Sequence, residues 1–306
     1  MPMPNLSIKE AAGKIRSGGL VAFPTETVYG LGANALDAAA VQKIYELKGR
    51  PAASPLIVHV ASIEMAREIV AEWPPLAESL ARQCWPGPLT LVLPKKPLIP
   101  DIVTAGLATV GVRMPNHPMA LELIREAGCP IAAPSANKFM ELSPTTAEHV
   151  RSAFGDSVDI LDGGPAQVGI ESTVVAIENG ELKLLRPGMI SLTQMESCAT
   201  AHGNDAHPAP GMHPRHYSPR TRLLLVSHPH DLPDHCGAYL WRKKSGLTAC
   251  SQRMPAKPED YAARLYAVLH ELDHEGWPWI AVEAPPDTPA WAAIRDRLWR
   301  AAEALP

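Results

Sequence analysis

Apolar residues recur at helical spacing in Ile8, Ala11, Ala12 and Ile15, and again in Val41, Ile44 and Tyr45, behind an Asp37 able to cap the second segment. Between such stretches lie short apolar runs that predict strands: Gly19 to Ala22, Pro55 to Val60, Leu89 to Leu93, Val110 to Met114 and Pro130 to Ala136. Further helices are expected from Ser62 to Ala71, from about Pro118 to Ala127 with a stop at Gly128, and from Thr145 to Phe154. Ser172 to Ile177 and Leu182 to Leu185 predict a pair of strands. This order of elements implies an α/β domain built on a mixed sheet.

Between about 190 and 220 the periodicity lapses. Ser197, Thr200, Gly203, Asn204 and Asp205 give way to Pro208, Pro210, Pro214 and Pro219, the composition of a linker. Beyond it, Arg222 to Val226, Ala238 to Trp241 and Pro278 to Val282 predict strands, and Tyr261 to Leu272 an amphipathic helix. Trp291, Ile294, Leu298 and Ala302 form the face of a last helix. The expected division is therefore a large domain over 1–192, a linker over 193–220 and a small α/β domain over 221–306.

With 306 residues, a net charge of −4 and a pI near 6.3, bulk electrostatic attachment to nucleic acid is disfavoured. No apolar stretch approaches the ~18 residues of a membrane span, and Met1 to Asn5 lacks the basic and apolar regions of a signal peptide. A soluble, cytoplasmic protein is expected. Five cysteines without paired spacing suit reduced thiols. His228, His230, His235 and Cys236 lack the second pair of a zinc site, so no metal-ligating residues are assigned.

Five clusters carry candidate chemistry. Residues 23–32, Phe-Pro-Thr-Glu-Thr-Val-Tyr-Gly-Leu-Gly, place Thr25, Glu26, Thr27 and Tyr29 on a turn; Gly30 and Gly32 permit positive φ or close backbone approach. Lys48-Gly49-Arg50-Pro51, with Ser54 and His59, suits a phosphate or carboxylate, although a helix C-terminus also favours cations. Arg113 interrupts the apolar strand Val110 to Met114 and needs either a buried carboxylate or a ligand anion. Ala132 to Asn137 ends a strand in small residues and offers Ser135 and Asn137, without the elbow of a serine nucleophile. Glu171-Ser172-Thr173 and Arg186-Pro187-Gly188 repeat the pairing of hydroxyl and cation. Lys48, Arg50, Arg113 and Arg186 together can hold a polyanion such as a triphosphate, yet no P-loop, kinase or dinucleotide fingerprint is present.

Phe23 to Gly32, Lys48 to Arg50, Pro55 to Val60, Trp85 to Thr90, Val112 to Pro115, Ala133 to Asn137 and Glu171 to Val174 follow in order the pattern of the YrdC-like L-threonylcarbamoyladenylate synthases. The segment Pro210 to Pro219 further resembles the linker of their long, two-domain form. The resemblance implies a twisted mixed sheet with flanking helices, a smaller Rossmann-like C-terminal domain, and a linker folding over the active site. It implies the reaction of L-threonine, bicarbonate and ATP to threonylcarbamoyl-AMP and pyrophosphate, for tRNA threonylcarbamoyladenosine. By motif position, Thr27, His59, Arg113, Ser135 and Ser172 would surround threonine; Arg50, Ser54, Thr109, Ala133, Ser143, Arg186 and Tyr217 would contact ATP. Lys48 and Asn137 would join Arg50 and Ser135 in the catalytic rim, Mg2+ would accompany ATP, and Tyr217 would serve as part of a lid. The implied partner is a downstream tRNA threonylcarbamoyltransferase complex, with weak tRNA contact and no membrane. Two rivals are an RNA-binding module of the same fold and a carbamoyltransferase using carbamoyl phosphate; the latter's family carries paired cysteines that this chain lacks.

Overall fold

The structure is a computed structural model and describes residues 6–191, 194–195, 216–233 and 236–302. Residues 193 and 196–215 of the expected linker, like His235 of the histidine cluster, lie outside the described residues.

Two sheets organise the described chain. The larger contains β1 (Val21–Phe23), β2 (Gly30–Asn34), β3 (Ile57–His59), β4 (Leu89–Pro94), β5 (Thr109–Arg113), β6 (Ile131–Ala132), β7 (Asp159–Ile160), β8 (Thr173–Glu178) and β9 (Glu181–Arg186). Its order is β7-β1-β2-β6-β3-β5-β4-β8-β9. The β1/β7, β3/β5 and β4/β8 pairs are parallel and the others antiparallel, so the sheet is mixed as expected. Both faces are covered, which the alternation along β1 makes plain: Val21 and Phe23 pack under the helices Ile8–Arg16 and Pro118–Ala127, whereas Ala22 joins the opposite core with Val41, Ile44 and Leu80.

The smaller sheet holds β10 (Leu223–Val226), β11 (Ala238–Trp241), β12 (Cys250–Arg253) and β13 (Ile280–Glu283), all parallel, in the order β10-β13-β11-β12. The helices Pro258–Glu275 and Ala292–Ala301 bury Leu265, Leu269, Ile294 and Leu298 against one of its faces. No described helix is long and apolar enough to cross a membrane.

Three departures from the sequence pattern matter for the site. The glycine-ended turn closes earlier than expected, and Gly30 to Asn34 continues as β2, paired antiparallel to β1. Neither Gly30 nor Gly32 has positive φ; close approach is the operative reason, because a Cβ on Gly32 would lie 2.8 Å from the Phe23 ring and 2.9 Å from Ile131. The strand expected over Pro130 to Ala136 keeps only Ile131–Ala132 in the ladder. Residues 133–137 then peel away, held by Ala133 N donating to Ile57 O and Ala136 N donating to Tyr29 O. That frees the strip to line a cleft.

Candidate active site

The β1–β2 connection is rigid because its own hydroxyls brace it. Thr25 Oγ1 donates to Val28 O (2.6 Å), accepts from Thr27 N and Val28 N, and lies 2.8 Å from Thr27 Oγ1. Tyr29 N donates to Pro144 O, and an isolated bridge joins Gly30 to Ser135, so backbone contacts tie this turn to the 133–137 strip. Parallel pairing of β3 with β5 sets His59 opposite Arg113 at the strand ends. These segments, with Arg50, Ser172, Arg186 and Tyr217, line one cleft.

At one end Arg113 is buried and its Nη2 lies 2.7 Å from Glu26 Oε2, while its Nε donates to Gly87 O. The two charges touch without hydrogen-bond alignment, and Glu26 Oε1 has no hydrogen-bond partner among the described residues. Burial, reinforced by the Arg113 charge, pulls the pKa of His59 down to about 3. His59 therefore presents a neutral ring at pH 7. At the other end Arg50 reaches the carbonyls of Pro55 and Ser54, at 3.1 and 3.4 Å. Arg186 donates through Nε and Nη2 to Ser172 O and through Nη2 to Ser172 Oγ, which also lies 2.8 Å from Thr90 Oγ1. Burial and the nearby Arg186 charge lower the pKa of Arg50, with Tyr45 and Tyr217 opposing.

Of the residues singled out from the sequence, Thr27, His59, Arg113, Ser135 and Ser172 all line the cleft, as do Arg50, Ala133, Arg186 and Tyr217. Five do not. Lys48 is buried beneath the strip, its ammonium donating to the carbonyls of Ser135 (2.6 Å) and Asn137. Burial, with Arg50 adding, holds its pKa well below the ordinary lysine value. The Asn137 amide donates to Lys138 O and Glu141 O, so both side chains brace the strip from below. Ser54 offers its carbonyl to Arg50 and Tyr45. Thr109 opens β5 level with Pro55, outside the lining. Ser143 is fully buried and donates to Glu171 Oε1 at 2.5 Å.

Sequence reasoning did not find Glu26 as the partner of Arg113, nor the network around Glu171. Glu171 accepts from Arg297 Nε at 2.6 Å and from the Tyr266 hydroxyl, both supplied by the small domain. Burial would raise the Glu171 pKa, but the charges of Arg297 and Arg186 and the Ser143 hydrogen bond outweigh it and hold the pKa below the ordinary value. Arg297 stands on the apolar face between Ile294 and Leu298 and is 1% exposed; a cation within that face was the available signal. Glu171 is the one carboxylate among the lining residues and is already engaged, and no group of three or more His, Cys, Asp or Glu able to hold a metal occurs among the described residues. The cleft thus offers cations and hydroxyls to an anionic ligand.

Fold and cleft together define a mixed-sheet α/β protein with a cation-lined cleft. A family model described as Telomere recombination matches residues 13–188, and one described as Threonylcarbamoyl-AMP synthase, C-terminal domain, matches 190–303. The chain is 42% identical to a threonylcarbamoyl-AMP synthase of Bacillus subtilis, over 96% of this chain and 92% of that protein. It is 50% identical to one of Pyrococcus abyssi over 73% of this chain and 69% of that protein. A solved structure of P. abyssi Sua5 complexed with L-threonine superposes with a TM-score of 0.88 at 40% identity, covering 97% of this chain and 96% of that one. The chain belongs to the Sua5/YrdC threonylcarbamoyl-AMP synthase family, in its two-domain form.

Proposed function

We propose that the cleft makes threonylcarbamoyl-AMP for tRNA threonylcarbamoyladenosine, with threonine at the Arg113 end and ATP at the Arg50 and Arg186 end. The observation that supports this best is the convergence of three buried cations, Arg50, Arg113 and Arg186, on one cleft with the uncharged strip Ala133 to Ser135. Arg113 would take the threonine carboxylate, with Thr27, His59, Ser135 and Ser172 around the rest of the amino acid. A neutral His59 adds a hydrogen-bonding edge there and no second positive charge.

The threonine amine adds to bicarbonate and loses water to give a carbamate, whose oxygen attacks the α-phosphorus of ATP as pyrophosphate leaves. That displacement needs alignment and neutralisation of charge more than a protein nucleophile. Arg50 and Arg186 would supply the neutralisation, and ATP would enter as its magnesium complex. Ala133 and Tyr217 would border the nucleotide, with Ser54 and Thr109 at that rim. Lys48 and Asn137 would act by fixing Ser135, and Ser143 by fixing Glu171, in place of direct ligand contact. Tyr217, buried on the cleft at the end of a 193–220 connection between a 1–192 catalytic domain and a 221–306 domain, would exclude water from the labile intermediates. The adenylate would pass in the cytoplasm to a tRNA threonylcarbamoyltransferase complex.

Pyrophosphate release from ATP, with magnesium, bicarbonate and either L-threonine, L-serine or no amino acid, tests the proposal. Release that requires both threonine and bicarbonate is expected. Release indifferent to the amino acid would falsify it.

A further inference from the structure

The small domain reaches the cleft-lining Glu171 through Tyr266 and Arg297, and Arg297 carries the charged contacts. Arg297, on the helix Ala292–Ala301, donates from Nε to Glu171 Oε2 (2.6 Å), from Nη2 to Glu171 O (3.4 Å) and from Nη1 to Pro187 O (3.0 Å). Its guanidinium carbon lies 5.2 Å from the centre of the Tyr217 ring. Asp296 Oδ2 fixes the same Nη1 at 2.7 Å. The three anchored positions are therefore the residue before Ser172, the residue after Arg186, and the ring of Tyr217, the last two at the nucleotide end.

The dependence on Arg297 differs among them. Ser172 is tied independently by Thr90 Oγ1 and by Arg186, and its neighbour Thr173 N donates to Pro88 O. The Tyr217 side chain has no such anchor: its hydroxyl finds no hydrogen-bond partner among the described residues, and its backbone stands at φ 61°, a left-handed conformation uncommon for a bulky residue. The ring is kept in place by what packs on it, and Arg297 is the charged part of that packing.

We propose that Arg297 is the positioning residue through which the small domain sets the ATP end of the cleft, leaving the threonine end to the larger domain. The proposal rests on the assignment of ATP to the Arg50, Arg186 and Tyr217 end. It gives the small domain a task in turnover beyond stability.

The test is Arg297→Met and Arg297→Lys in the full chain, with initial rates of pyrophosphate release measured while ATP and L-threonine are varied separately. Arg297→Met is expected to raise KM for ATP about tenfold or more, with KM for threonine within about twofold of the parent. Arg297→Lys keeps the charge but not the planar fork and is expected to fall between. Equal shifts in both KM values, or a parental KM for ATP in folded Arg297→Met, overturn the proposal. Should Arg297→Met not fold, Arg297→Lys decides by the same split. If the parent chain shows no threonine-dependent release, the activity itself is misassigned; equilibrium binding of a non-hydrolysable ATP analogue to parent and variant then still decides the role of Arg297, an unchanged affinity overturning it.

Discussion

Arg113 is a charge with two claimants, the Glu26 carboxylate already against it and, in the proposed reaction, the carboxylate of threonine. Both members of the pair are about 4% exposed, so removing one leaves the other uncompensated; such a loss costs ~3–5 kcal/mol. Glu26→Gln is expected to lower the thermal midpoint, and saturating L-threonine to recover more of it than threonine adds to the parent. Equal threonine shifts in the two proteins would mean that Arg113 does not take the substrate carboxylate. Arg50 differs, since its polar contacts are carbonyls: Arg50→Ala should fold normally and lower kcat/KM for ATP by about 30-fold or more, for a contact worth ~2–5 kcal/mol. Unfolding of Arg50→Ala would instead assign that guanidinium to the fold. The sequence makes the need of Arg113 legible, because a cation inside an apolar alternation requires a partner. It hides which partner, since Glu26 comes from a loop brought near only by folding.

The helices legible in the sequence are those whose ends are signalled locally, whereas Pro75–Cys84, which lacks a capping side chain, was missed. Asp37 caps Ala38–Lys48 by accepting from Ala39 N and Ala40 N, and Gly128 closes Pro118–Ala127 at φ 65°. Strands with their own apolar pattern, such as Ala238–Trp241, were equally plain. β2 and β12 were not. β12 reads Cys-Ser-Gln-Arg, a half-exposed edge strand without a hydrophobic signature, and β2 looks like a turn because its glycines serve packing. The consequence is testable at Gly32. A methyl there must displace Phe23 or Ile131, which overpacks the sheet by ~1–3 kcal/mol. Gly32→Ala should lower the urea midpoint with an unchanged m-value, and an unaltered midpoint would show that the ring and Ile131 give way freely.

Across the whole molecule the two domains meet through imidazoles as well as through Arg297. His149 of the larger domain stacks on His270 of the smaller at 3.9 Å, with Thr145, the Ser143 carbonyl, Asp273 and Arg220 around them. Burial lowers the pKa of His149, with His270 adding, and that of His216, to about 3 each, and that of His270 less strongly. The unfolded chain, with ordinary histidines near pH ~6.5, then binds more protons than the folded one between that pH and about 3. Stability is fully present above the unfolded value and is lost as the pH falls through this window. The urea midpoint should decline from about pH 6 downward, and His149→Gln should flatten that decline. A decline as steep in the variant would clear His149 of any part in it. None of this interface was visible in the sequence, where His149 and His270 stand far apart on separate helices.

Glu171 and Arg297 are 126 residues apart along the chain. At the ~5–20 residues per second of protein synthesis, roughly 6–25 s separate the making of the two partners. By then every strand of the larger sheet, through β9 at Arg186, has already been made. A nascent larger domain therefore waits with the Glu171 carboxylate lacking Arg297, and the part of the cleft proposed to hold ATP is completed only after the helix Ala292–Ala301 has been made.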